Sequence, residues 1–160
     1  MQGTQILTLG LEAPWVLKDQ HLDTAVSPHH LDLYVEAERG SLYPCSAHDF
    51  ADKTWRHLNF FQHHRYLYAR VPRTQCPEHG VKRIELPWAR PGSDFTLLFE
   101  QAAISLLKEM PLLDVSRQLE ISDKRLWRIV YHYVGRMLGE LDLSNVATVG
   151  VDETTKSATP

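Results

Sequence analysis

The chain has 160 residues, 43% of them hydrophobic, and a formal net charge of -3, enough for one ordinary domain or two very small ones. No stretch approaches the roughly 20 apolar residues of a membrane span and the opening MQGTQILTLGLEAPW has no basic leader, so a cytosolic protein is expected. The average charge excludes a uniformly basic nucleic-acid binder, yet residues 53–90 hold eight basic and two acidic side chains against two and eight in residues 1–52.

Residues 1–30 are rich in Pro, His and Asp and read as an irregular arm, with a short strand at Gln5 to Leu9. LDLYVEAE alternates Leu31, Leu33, Val35 and Ala37 with polar residues, the period of a half-buried strand. HRYLYARVPRTQC alternates likewise, with Tyr66, Tyr68 and Arg70 on one face and Leu67, Ala69 and Val71 on the other. KRIELPW supplies a third strand. After RPGSD the period becomes helical. FTLLFEQAAISLLKEM has an apolar face at i, i+3, i+4 spacing, Ser93 or Asp94 as N-cap, and Pro111 to stop it. LLDVSRQL is a second helix, and DKRLWRIVYHYVGRMLGEL, capped by Ser122, a long third one. VATVGV then reads as a buried strand ending in Asp152 and Glu153.

Cys45 and His48 in YPCSAH, and Cys76 and His79 in TQCPEH, share the spacing C-x2-H. A tight turn can aim two such side chains at one ion, and two half-sites complete a tetrahedral zinc centre with no open position for water. Two thiolates also balance the ionic charge, so the centre tolerates burial. The bland alternative is two buried apolar cysteines beside surface histidines. His57, His63 and His64 are further candidates, as ligands in place of His48 or His79 or as groups facing phosphate. A sheet this small is expected to need its metal.

Val115, Leu119, Ile121, Leu126 and Ile129, with small Ser116, follow the helix-turn-helix template. Glu120 stands where that template usually has glycine. On the third helix Leu126, Ile129, Val130, Tyr133 and Met137 line one side, while Arg125, Arg128, His132 and Arg136 recur on another. Long cationic donors on a groove-sized helix suit phosphates and guanine edges. Ser122, Lys124, Arg125 and Arg128, at its N-terminal end, are the expected base-edge or phosphate contacts, and Trp127 reaches either the first helix or the groove. A solvated cationic face is the plain alternative.

In this order, from about Tyr43 to Glu153, a Cys/His finger, an arginine-rich hairpin, a helix-turn-helix and a strand ending in GVDE resemble the N-terminal half of bacterial insertion-sequence transposases of the L-three group. The resemblance implies an α+β fold: a zinc-binding β finger (41–90) after an arm and first strand (1–40), a three-helix helix-turn-helix domain (91–143), and the first strand of a ribonuclease-H-like DDE domain, truncated (144–160). It implies structural zinc on Cys45, His48, Cys76 and His79, although the family finger commonly uses four cysteines. It makes Asp152 the counterpart of the first catalytic aspartate, with magnesium held only by a complete catalytic domain.

The expected function is binding of double-stranded DNA at terminal inverted repeats in the bacterial cytoplasm, associated with the nucleoid, with Arg65, Arg70, Arg73, Lys82 and Arg83 holding backbone phosphate. A homodimer is left open. With Asp152 as its lone catalytic carboxylate, the chain is expected to bind and not cut. Two rivals stand beside this reading: a zinc-containing helix-turn-helix regulator, in which VATVGVDETTK docks on the helices, and a protein-interaction module in which zinc and helices are scaffolding, favoured if the acidic N-terminal residues cover the cationic stripe. A hydrolase fits poorly, because four protein ligands close the metal site.

Overall fold

In the computed structural model, residues 9–38, 47–76, 80–142, 144 and 150 are described. Five strands form one sheet: β1 (Trp15–Asp23), β2 (His30–Ala37), β3 (Ala47–Phe60), β4 (His63–Cys76) and β5 (Gly80–Arg83). Their order is β1-β2-β4-β3, with β5 also on β4. β1 and β2 are antiparallel, and so are β3 and β4, whereas β2 and β4 run parallel from His30 opposite His64 to Val35 opposite Ala69. The parallel pairing needs a crossover, and β3 supplies it, lying on the far edge of β4.

The two alternating segments form strands in the expected sense. Leu33, Val35, Leu67, Ala69 and Val71 are buried on one face, in a core with Trp15, Trp55 and Trp88. Trp88 meets Trp15 and Trp55 edge-on, with ring centroids 4.8 and 5.7 Å apart. The other face carries an aromatic ladder: Tyr34 stacks on Tyr68, and His30 lies against Tyr66 and His64. Burial, with the neighbouring Asp32 carboxylate, pushes the Tyr68 phenol up to about 12.

Three expectations for the sheet change. Residues 15–23, expected in an irregular arm, are β1 and join the same sheet. The third strand is shorter and earlier than KRIELPW; Leu86 makes only an isolated bridge with Ala89. β3 carries few apolar side chains and gave no period, yet it is 14 residues long. The expected strands at residues 5–9 and 146–151 lie wholly or almost wholly outside the described residues.

Three helices follow: α1 (Leu97–Leu107), α2 (Leu112–Leu119) and α3 (Asp123–Glu140). Phe95, Phe99, Ala103, Val115, Ile121, Leu126 and Ile129 make their core. The N-cap of α1 is Thr96, whose hydroxyl accepts from Phe99 N–H, not Ser93 or Asp94. The reason is tertiary: Ser93 Oγ instead accepts from Phe95 N–H and donates to Glu100, while the Asp94 carbonyl accepts from Arg56 N–H. Nor does Pro111 stop α1. The helix ends at Leu107, and Pro111 is the N-cap of α2, where its missing N–H costs nothing.

The helices dock on the free edge of β3. Arg56 N–H donates to the Asp94 carbonyl (2.8 Å), Thr96 N–H donates to the Arg56 carbonyl (3.0 Å), and His57 Nδ1 hydrogen-bonds Thr96 Oγ1 at 2.7 Å. A fully buried Glu100 ties the helical core together: it accepts from Arg90 Nε (2.9 Å), Ser93 Oγ (2.6 Å) and the Tyr133 hydroxyl (2.9 Å).

Candidate nucleic-acid interface

The turn between α2 and α3 is built as the template requires, with an unusual residue at its centre. Glu120 adopts φ 53°, ψ 45°, the left-handed region in which glycine is at ease. Its N–H donates to the Arg117 carbonyl and Ile121 N–H to that of Ser116. Val115 and Ser116 are buried where the helices touch, Ile121 is buried in the turn, and Leu126 and Ile129 anchor α3. Ser122 caps α3, its hydroxyl accepting from Arg125 N–H at 3.4 Å.

Of the stripe on α3, Lys124, Arg128, His132 and Arg136 are exposed. A buried stripe would have favoured the interaction-module reading; of its members only Arg125 is even half-buried. Arg136 pairs with Glu140 one turn on, Nε to Oε1 3.2 Å. Arg125 is half-buried, its guanidinium 4.4 Å from the Phe95 ring centroid. Met137, expected on the core side, is exposed. It lies beside a second stripe of α3: Trp127, Tyr131, Val134, Leu138 and Leu141 recur at steps of four and three, with 42 to 68% of each exposed. Trp127 stacks on Tyr131 and is partly exposed.

In the basic block, Arg70 is exposed over the Phe50 ring (5.1 Å). Arg65 Nε donates to the Leu58 carbonyl at 3.1 Å, and burial lowers its pKa. Arg73 is held bidentate by Asp49, which raises its pKa and offsets its charge.

The three spare histidines are committed elsewhere. His57 is buried against Thr96, His63 stacks on His29, and His64 Nε2 pairs with the Glu120 carboxylate. No cluster of three metal-binding side chains occurs among the described residues. Cys45 and His79 lie outside them, as do the side chains of His48 and Cys76, and so does Asp152. The backbone nonetheless brings the finger motif to one end of the sheet. The last β3–β4 pair is Ala47 with Thr74, two residues from each cysteine, and Cys76 pairs with Gly80, the residue after His79. Gly80 starts β5 at φ 70°, a conformation that favours glycine.

The zinc-finger model of transposases IS204/IS1001/IS1096/IS1165 matches residues 40–79, and the model of the helix-turn-helix domain of transposase family ISL3 matches residues 84–134. The chain carries the zinc-finger and helix-turn-helix domains of ISL3-family transposases. Together the two matches span more than half of it. Two curated relatives, each a transposase for insertion sequence element IS1557 from a strain of Mycobacterium tuberculosis (CDC 1551 / Oshkosh and ATCC 25618 / H37Rv), are 27% identical over 106 residues, 63% of this chain. The aligned region spans 23% of the length of those relatives. No solved structure gives a significant match. The ISL3 finger implies structural zinc. Among the described residues no helix is long and apolar enough to cross a membrane.

Sequence reasoning missed Arg56 and the link from His64 to the turn. Arg56 is 3% exposed with both terminal nitrogens lacking a hydrogen-bond partner, 5.3 Å from the Tyr66 ring. Burial lowers its pKa, and Tyr66 and Glu120 oppose that shift. The one signal in the sequence was Glu120 itself, a carboxylate at a glycine position.

Proposed function

We propose that this chain binds double-stranded DNA at the terminal inverted repeats of an insertion sequence, as the N-terminal part of an ISL3 transposase acting in DNA transposition. The observation that carries the reading is the exposed cationic stripe of α3, in a helix-turn-helix fixed to the edge of a finger-bearing sheet. α3 would enter the major groove with Ser122, Lys124, Arg125 and Arg128 leading. His132 and Arg136 would follow along the groove, and Arg65, Arg70 and Arg73 would hold backbone phosphate.

Zinc would be held by Cys45, His48, Cys76 and His79 at the β4–β5 end of the sheet, where it supplies cross-linking and no chemistry. The domain division follows: arm and first strand to residue 40, finger to 90, helix-turn-helix to 143. Residues 144–160 would begin a ribonuclease-H-like domain in which Asp152 is the first carboxylate. Magnesium would bind only to the full carboxylate set of such a domain. The protein would act in the bacterial cytoplasm, at the nucleoid.

A homodimer is part of the proposal, through the second stripe of α3. Steps of four and three are the seam of a coiled coil, and the apolar side chains along it are exposed. Paired helices lie about 10 Å apart, not the ~34 Å of successive grooves, so each copy would serve its own duplex.

Binding is tested by fluorescence anisotropy with a duplex carrying the element's ends and a scrambled duplex, across a salt series. Affinity should fall steeply with salt, and Arg128→Ala should lower the slope of log K against log salt by about one contact. Equal affinity for both duplexes, or no salt dependence, would overturn the reading.

A further inference from the structure

We propose that Glu120 is a positioning residue: through His64 it fixes the DNA-reading helix at a set angle on the sheet. The proposal rests on the DNA-binding reading above and adds to it the part that orients α3.

Backbone geometry alone would select glycine at residue 120, because a side chain in the left-handed region costs about 1 kcal/mol. A retained carboxylate there needs a reason, and its partners give one. Glu120 accepts from His64 Nε2 on β4, 56 residues away in sequence, and from the Asn59 side chain at the end of β3. The hydrogen bond from His64, with the charges of His64 and Arg56, holds its carboxyl below the usual range. His64 is 9% exposed and stacks on His30 of β2, so the link reaches the third strand in from the helical edge.

Arg56 makes the carboxylate harder to remove. The terminal nitrogens of its buried guanidinium have no hydrogen-bond partner among the described residues, the Tyr66 ring centroid is 5.3 Å away, and Glu120 is the acid whose field acts on it. Losing Glu120 removes the hydrogen-bonded tie from the turn to β4 and frees the root of α3 to move on the sheet. α3 is about 27 Å long, so a tilt of ~10° at that root displaces its far end by about 5 Å, and the side chains that would read base edges no longer meet them together.

The decisive variant is Glu120→Gly, which suits the backbone while removing the clamp. We expect it to fold with unchanged helicity and a Tm close to the parent's, the relaxed backbone offsetting the lost tie, to bind the end duplex about tenfold more weakly, and to bind scrambled duplex as the parent does, since every cationic residue remains. His64→Ala should give a similar loss, and the double variant no further loss, because the two residues act as one unit. Glu120→Gln, which keeps the acceptor, should recover most of the affinity. If Glu120→Gly does not fold, Glu120→Asn, which also tolerates the left-handed region, takes its place. End-duplex affinity equal to the parent's in the folded variant, or additive losses for the two single variants, would overturn the proposal. A parent chain that does not prefer the end duplex would instead overturn the DNA-binding reading.

Discussion

Glu100 and Glu120 show what a carboxylate costs in two settings. Glu120 sits half-exposed at the surface of the turn, so its own charge costs little to keep there. Glu100 is fully buried on α1, and its three partners come from the loop before α1 and from α3. Its effect on Tyr133 is visible: burial and the hydrogen bond to Glu100 raise that phenol to about 12. Replacing Glu100 with Ala strands Arg90, only 18% exposed, and removes the tie between α1 and α3. Breaking a buried pair from one side typically costs about 3–5 kcal/mol, so Glu100→Ala should lower the urea midpoint sharply at constant m, measured by circular dichroism. A shift worth less than about 1 kcal/mol would mean that water replaces the network at little cost. Nothing in the sequence marked this residue, since a glutamate inside an amphipathic helix reads as solvated until its neighbours are known. Glu120 was legible because it broke a local rule, the glycine of the turn.

At the scale of elements, legibility followed how strongly each segment alternates. β2 and β4 carry aliphatic residues at every second position and were readable, as was the division of β4 into Tyr/Arg and Leu/Ala/Val faces. β3 was not, because its inward positions include Ala51, Lys53 and His57, and its burial comes from pairing with β4 and from the helices on its edge. β1 turns polar and exposed after Leu17, past a bulge, so only its first residues reach the core. α2 and α3 were readable to within a residue at each end, since caps and period agree. The apolar stripe of α3 was partly absorbed into the expected core face; only the structure separates the buried side of Leu126 and Ile129 from the exposed side of Tyr131 and Leu138. That separation makes the seam testable. Tyr131→Glu with Leu138→Glu should convert a dimer into a monomer by sedimentation velocity at tens of micromolar, without loss of helicity, because both side chains are already in water in the monomer. An unchanged sedimentation coefficient would rule out the seam as the dimer interface.

At the scale of the molecule, the structure alters what zinc is needed for. A sheet of short strands was expected to fail without metal, but the sheet has a core of its own around Trp15, Trp55 and Trp88. Each fully buried large apolar side chain contributes about 1.5–3 kcal/mol, and that core needs no ligand to hold it. The backbone of Cys76 lies well away from it. From Leu67, opposite Trp55, to Cys76 is nine residues of strand, about 30 Å. The helices dock at Arg56 and His57, also on the core side of that span. Chelation should therefore loosen one end of the sheet and leave the rest standing. Hydrogen exchange should speed up in β5 and in the paired ends of β3 and β4 near Ala47 and Thr74, while the amides of Trp55, Leu67 and α1 stay protected. Tryptophan emission should be unmoved, since Trp88 remains wedged between Trp15 and Trp55, and Cys76→Ser should reproduce the pattern without chelator. If metal removal instead shifts the tryptophan emission and unprotects Leu67, the two ends of the sheet form one cooperative unit and zinc holds the whole fold.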